Sequence, residues 1–218
     1  MIKGGVTVLN WELENSFYNE GFKLICGADE AGRGPLAGPV FAAAVILPRG
    51  LEIEGLNDSK KLSAAKRDAL YEEIKAKATD YAIAHAEVYE IEAINILNAS
   101  MLAMRRAIEQ LKTTPDLALI DGNVARDFHI EARPIIKGDG KSPSIAAASI
   151  LAKVERDRFC LEMDKFYPGY GFAKHKGYAT KAHKEAILKY GPCPLHRKSF
   201  LRKTYGDAIE LQDIWQSF

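Results

Sequence analysis

Only three cysteines occur in 218 residues, and Cys26, Cys160 and Cys193 are spaced neither as a disulfide framework nor as a zinc-ligand set. No apolar run reaches the ~18–20 residues a bilayer crossing needs. Met1 to Ser16 lacks the apolar core and small-residue cleavage site of a secretory leader, so a cytoplasmic location is expected. The P-loop pattern is missing, as is the Gly-x-Ser-x-Gly elbow of a serine hydrolase, and no cysteine has the setting of a nucleophile. Gly32 and Gly34 follow a strand-like run but fail as a dinucleotide fingerprint. The next glycine, Gly38, comes one position late, Pro35 intervenes, and a second strand follows where a helix is required.

What remains is an ordinary globular composition, 47% hydrophobic and 27% charged, with a net charge of +1. That near-zero sum hides a division. Lys174 to Lys203 holds nine Lys/Arg against one acid, Glu185, a local balance of +8, so the rest of the chain carries −7. The basic stretch also contains Tyr178, Tyr190, Phe200 and three histidines, a mixture suited to polyanions with stackable sugars or bases. A solvated helix face with a basic tail would have the same charge count.

Hydrophobic patterning predicts strands over Phe22–Asp29 and Val40–Leu47, joined by a turn-rich loop from Glu30 to Pro39, and a short strand near Leu51–Ile53. A helix capped by Ser63 runs to about Ala78 with Ala65, Ala69, Leu70 and Ile74 on one face. A strand over Tyr81–Val88 and a helix over Ile91–Leu111 follow, the helix with an apolar stripe of Ile91, Ile94, Leu97, Met101, Ile108 and Leu111. Strands at Leu117–Asp121 and Arg133–Lys137 precede a long helix from Ser144 to Phe166, opened by Pro143. The last third reads as a Gly/Tyr/Lys loop, a helix near 181–190, a Pro-rich turn and a short helix. This order predicts an α/β or α+β sheet with antiparallel hairpins at its start.

Asp29 and Glu30 end one apolar strand, Asp121 ends another before Gly122, and Asp139 lies between Gly138 and Gly140 just past a third. Adjacent strand residues point to opposite faces, so Asp29 and Glu30 can share a site only if the chain bends, which Gly32-Arg33-Gly34 allows. Carboxylates gathered at a sheet rim repel and need compensating cations. Oxygen-only donors favour Mg²⁺ or Mn²⁺ over zinc. Turn-forming acids would give the same local pattern.

Gly27-Ala-Asp-Glu-Ala-Gly-Arg-Gly-Pro-Leu-Ala-Gly-Pro39 resembles the signature of the ribonuclease HII family, the type 2 ribonucleases H. The resemblance continues through Asn57-Asp-Ser-Lys-Lys-Leu-Ser63, Asp121-Gly-Asn123, Lys137-Gly-Asp139 and the run from Ser144 to Asp157. It ends with His175-Lys-Gly-Tyr178 and His196-Arg-Lys-Ser-Phe200, and so covers roughly residues 20–205. It implies a ribonuclease H-like mixed five-stranded sheet flanked by helices, with a catalytic domain over 1–165 and a basic helical region over 166–218 packed on it. It also implies a metal-dependent endonuclease acting on RNA/DNA hybrids and on single ribonucleotides in duplex DNA. The cut falls 5′ to the ribonucleotide and leaves a 3′-hydroxyl and a 5′-phosphate.

The same resemblance makes Asp29, Glu30, Asp121 and Asp139 the active-site acids and metal ligands. Two ions, Mg²⁺ or Mn²⁺, would lie ~3.5–4 Å apart around the scissile phosphate. Asp29 would bridge them, with Glu30 and Asp121 on one and Asp139 on the other or acting on water. Gly32, Arg33 and Gly34 resemble the ribose-sensing loop, and Tyr178 the tyrosine that stacks on the sugar at the RNA-to-DNA junction. The 2′-hydroxyl is the group that separates RNA from DNA. Lys60 and Lys61 are candidate phosphate contacts, and the basic run to Lys203 a salt-sensitive backbone grip. Lys153 and Arg156 fit either a phosphate contact or a helix surface. His175, His183 and His196 read as surface or structural residues. Gln212 to Phe218 faintly resembles a sliding-clamp peptide, although an amphipathic packing helix fits better. Ribonuclease HIII carries an extra N-terminal domain, for which about 20 residues leave no room. The 17 residues between Asp121 and Asp139 match the bacterial spacing. A non-catalytic hybrid-binding module is the alternative from another class, but clustered acids beside phosphate would not aid pure binding. A monomer is expected.

Overall fold

The computed structural model describes residues 9–57 and 59–205, together with two short strands, β1 (Ile2–Lys3) and β2 (Val6–Thr7). Helix α1 (Glu12–Asn19), absent from the sequence expectations, precedes the main sheet. Strands β3 (Ile25–Ala31) and β4 (Val40–Ile46) form its first hairpin, followed by helix α2 (Ala64–Lys77) and strand β5 (Asp80–Ala86). Helix α3 (Val88–Glu109) and strands β6 (Leu117–Asp121) and β7 (Glu131–Ile135) lead into helix α4 (Pro143–Phe166). Helices α5 (Phe172–His175), α6 (Lys181–Tyr190) and α7 (Lys198–Tyr205) complete the described chain.

The sheet is mixed and five-stranded, in the order β5-β4-β3-β6-β7, as the resemblance implies. Strand β4 runs antiparallel to both β3 and β5, whereas β3, β6 and β7 are parallel to one another. The three parallel strands therefore end on one rim. Strand alternation sorts the core into two layers. Cys26, Ala28, Ala42 and Ala44 face α3, while Ala43 and Val45 face α2 and α4. Because β4 is buried on both faces, it reads as an unbroken apolar run instead of alternating.

Helix α4 begins where Ser142 Oγ accepts the Ile145 amide and Pro143 occupies the first turn. The buried Glu14 of α1 reaches the same end and accepts the Ser142 hydroxyl at 2.6 Å. Ala146, Ala147 and Ala148 are fully buried, which lets α4 lie close on the sheet.

Several expectations are corrected. Residues 51–53 form no strand, and Ala65 and Ala69 are exposed on α2, where Leu70, Tyr71 and Ile74 are buried. Strand β7 starts two residues early, because the chain after Ile135 turns into a short 3₁₀ segment, Gly138–Gly140. Helix α3 kinks at Asn95, whose φ of 65° and ψ of 165° break the helix. The Asn95 side chain then accepts the amides of Leu97 and Asn98 and recaps the second half. The kink rephases the apolar stripe, so Ile94 is exposed while Ala99, Met104 and Ala107 join Met101 inside. Cys26, Cys160 and Cys193 are free, buried thiols. No helix among the described residues is long and apolar enough to cross a membrane. The segment from Gln212 to Phe218 lies outside the described residues.

Candidate active site

Asp29 and Glu30 are the fifth and sixth residues of β3, and Asp121 is the last of β6. Parallel pairing between β3 and β6 ends at Ala28 opposite Ile120, so the acids stand just past the last pair. The ladder to β4, in contrast, runs unbroken through Glu30 and Ala31. The anticipated bend before Gly32 is therefore unnecessary. Strand β3 is released on its β6 edge only, and a cleft of about 430 Å³ opens there with Asp29, Glu30 and Asp121 in its wall. Asp139 does not line this cleft. It is buried in the 3₁₀ turn after β7, near enough for its charge to act on Asp29.

Burial pushes the Asp29 carboxyl well above the usual carboxylate range, and the charges of Glu30, Asp121 and Asp139 add to this. Glu30 is raised too, mainly by burial, although the Arg33 guanidinium 3.2 Å away and the charge of Lys60 pull it back. The Glu30 amide donates to Asp29 Oδ1 at 2.7 Å, and the Gly138 amide to Asp121 Oδ1 at 2.7 Å. The second contact ties the turn carrying Asp139 to the end of β6. Among the described residues, no three His, Cys, Asp or Glu side chains converge into a ready-made cage. The donors are nonetheless all oxygens, mutually repelling and grouped at an open cleft, which suits hard cations that retain part of their hydration.

The same cleft is lined by the Gly32-Arg33-Gly34 loop, Lys60, Lys153, Arg156 and Tyr178. Gly32 has φ of 103°, and a Cβ there would lie 2.1 Å from Arg156 Nε, so both backbone and space demand glycine. A Cβ on Gly34 would lie 3.7 Å from the Tyr178 ring. Tyr178 is 46% exposed, free to present its ring to a ligand. Arg33, assigned to the sugar in sequence terms, also holds Glu30. Lys60 lines the cleft, while the side chain of Lys61 lies outside the described residues. Lys153 is drawn to Asp157 at 2.5 Å.

Two arginines are buried where the sequence allows an exposed position. Arg156 is 1% exposed and donates to the carbonyls of Lys176 and Ala37, so it does not cover a helix surface but edges the cleft from within the protein. Arg197, counted within the basic grip, is fully buried. The signal for Arg156 was its helical spacing from Ala152 and Cys160, both apolar and buried. Arg197 has no such local signal.

A model of the ribonuclease HII family matches residues 26–204. The chain belongs to the ribonuclease HII family. It is an endonuclease of the ribonuclease H class, with RNA/DNA hybrids as its substrate class. Ribonuclease HII of Caldicellulosiruptor saccharolyticus is 54% identical over 201 residues, which is 92% of this chain and 98% of that protein. Among solved structures, ribonuclease H2 of Pyrococcus horikoshii superposes with a TM-score of 0.66 at 25% identity, covering 81% of this chain and 93% of the other. Ribonuclease HII of Archaeoglobus fulgidus, solved in complex with PCNA, gives 0.67 at 27% identity, covering 81% and 94%. The family match spans α5, α6 and most of α7 as well as the sheet.

Proposed function

We propose that the protein incises the RNA strand of hybrids, and duplex DNA on the 5′ side of an embedded ribonucleotide, leaving a 3′-hydroxyl and a 5′-phosphate. The observation that carries this reading is the shared cleft. Asp29, Glu30 and Asp121 line one cleft together with Gly32-Arg33-Gly34 and Tyr178, so chemistry and sugar reading act on the same nucleotide.

Asp29, Glu30, Asp121 and Asp139 would hold Mg²⁺ or Mn²⁺, two ions per site. Bound there, the ions would neutralise the acids, activate water and stabilise charge on the scissile phosphate and leaving oxygen. The chain's own part is positional. The Gly138 amide fixes Asp121, and the Glu30 amide fixes Asp29. Arg33 steadies Glu30 while its flanking glycines admit the ribose closely. Tyr178 stacks on the sugar and presents its hydroxyl toward the 2′ position. Residues 1–165 supply the chemistry and 166–218 the added grip, with Tyr178 the element of the second part that enters the cleft. The enzyme acts as a cytoplasmic monomer.

The test is a DNA duplex with one ribonucleotide, incubated with Mg²⁺ or Mn²⁺ beside an all-DNA control and the Asp121→Asn variant. One metal-dependent cut 5′ to the ribonucleotide, lost in the variant, is expected. Cleavage of long hybrids alone would remove the junction reading, and binding without cleavage of either substrate would favour a non-catalytic module.

A further inference from the structure

The loop between β3 and β4 is clamped by one side chain from far along the sequence. Arg197 Nη2 donates to the carbonyls of Gly32 (2.7 Å) and Gly38 (2.6 Å), and Nη1 to those of Arg33 and Pro35 (both 3.0 Å). Its Nε donates to Gly38 as well, at 2.9 Å. The guanidinium is fully buried and compensated by carbonyl dipoles instead of a carboxylate ion pair. Burial and the nearby charge of Arg156 lower it to about 9, so it stays protonated at neutral pH. A planar fork with fixed donors suits this task, and a lysine ammonium cannot span the same four carbonyls.

The preceding residue acts on the other reading element. The Cys193 amide donates to Nδ1 of His196 at 2.9 Å, so that nitrogen carries no proton. The ring proton then sits on Nε2 and is donated to His183 Nε2, 3.1 Å away. This leaves His183 Nδ1 as the donor to the Tyr178 carbonyl at 2.9 Å. Each nitrogen of the pair is satisfied in a single tautomer arrangement, and both rings are buried. Backbone bonds complete the strap. Arg197 donates to Leu36, Gly38 to Leu195, and Leu36 to Gly177, each at 2.8 Å. A Cβ on Gly177 would stand 2.7 Å from the Ala37 carbonyl oxygen.

We propose that His196-Arg197 is a positioning unit that fixes the Gly32-Arg33-Gly34 loop and Tyr178 in one register and thereby sets selectivity for the 2′-hydroxyl. Neither residue touches the cleft. The inference rests on the reading of the loop and Tyr178 given above. Arg197 orients the peptide planes of the loop, and with them the groups offered to the sugar, while His196 sets the height of Tyr178 through His183.

The experiment compares kcat and KM for a duplex with one ribonucleotide and for a long RNA/DNA hybrid, at a temperature well below each variant's Tm. Arg197→Lys is expected to lower kcat/KM on the single ribonucleotide by about tenfold more than on the hybrid, since a misplaced contact costs most where only one sugar can be read. His196→Asn, which cannot reach His183, should shift the same ratio, and His196→Gln, whose amide nitrogen can stand where Nε2 does, should restore much of it. This pair keeps the test decisive if Arg197→Lys does not fold. Leu70→Ala, in the core beneath α2, serves as the destabilised control and should leave the ratio unchanged. Equal losses on both substrates, or a matching shift in Leu70→Ala, would overturn the proposal. No incision of the single ribonucleotide by the unaltered protein overturns the functional reading and the inference together. Incision that stays equally selective in all His196 and Arg197 variants overturns the inference alone.

Discussion

A Cβ placed on Gly27 would sit 2.3 Å from the backbone nitrogen of Ile145. Strand β3 and helix α4 thus meet backbone to backbone two residues before Asp29, with no side chain between them. Gly27→Ala must push the helix off the sheet, and Asp29 then moves relative to Lys153 and Arg156 of the same cleft. The expected cost is about 3 kcal/mol, the upper part of the usual range for overpacking. Urea unfolding measures it, and an unchanged midpoint would contradict backbone contact at this point.

Tyr178 offers a ring and a hydroxyl that can be separated by substitution. Tyr178→Phe should cost about 1 kcal/mol on a single embedded ribonucleotide if only a hydrogen bond is lost. Tyr178→Ala should cost a further ~1–3 kcal/mol as stacking disappears. Single-turnover rates on both substrates give the two increments, and equal losses for the two variants would assign the whole effect to the hydroxyl.

Burial lowers His183 to about 4 and His196 to about 3, the latter also opposed by the charge of His183. Both are neutral in the folded protein at pH 7, and His175 stacks on His183 at 4.3 Å between ring centroids. An unfolded histidine titrates near 6.5, so between that pH and about 4 the unfolded chain binds protons that the folded one refuses. Stability should be full above about pH 6.5 and fall on acidification by up to about 1.4 kcal/mol per pH unit for each histidine. A His196→Gln variant should show a shallower fall in a series of urea melts from pH 7 to pH 4.5, and an equally steep one would place the acid sensitivity elsewhere.

Asn95 combines a capping side chain with a backbone conformation that only glycine adopts without strain. Asn95→Ala loses the cap and keeps the strain, for an expected loss of about 1 kcal/mol. Asn95→Gly relieves strain while giving up a cap worth only a few tenths against glycine, so its stability should equal or exceed that of the parent. Thermal melts of the two variants should fall on opposite sides of the unaltered protein, or at least diverge in that order.

The strand-end acids were legible because each closes an apolar run next to glycine, a pattern that survives without tertiary information. The strands themselves were legible for the same reason, as apolar runs bounded by turn residues. The kink at Asn95 was not, because Ile94 and Leu97 continue the helical period across it and mask the break. Nor was α1 distinguished, since its buried member, Glu14, is polar and finds its partner in Ser142 across the chain. Arg197 shows the limit most clearly. Within a run of cations it looks like one more phosphate contact, and only the approach of a loop 160 residues earlier reveals that its charge faces carbonyls inside the protein.

The parallel arrangement of β3, β6 and β7 also bears on how the enzyme comes into being. Asp29 and Asp121 become neighbours only when β3 pairs with β6, a closure across some 90 residues that is slow compared with forming the β3–β4 hairpin. During synthesis, therefore, the carboxylates stay apart until the centre of the sheet has emerged, and α4 seals it later still. Arg197 arrives last of all. On that order the acids can gather before Arg197 closes on the carbonyls of Gly32 and Gly38, so the clamp on this loop is the last of these contacts to form.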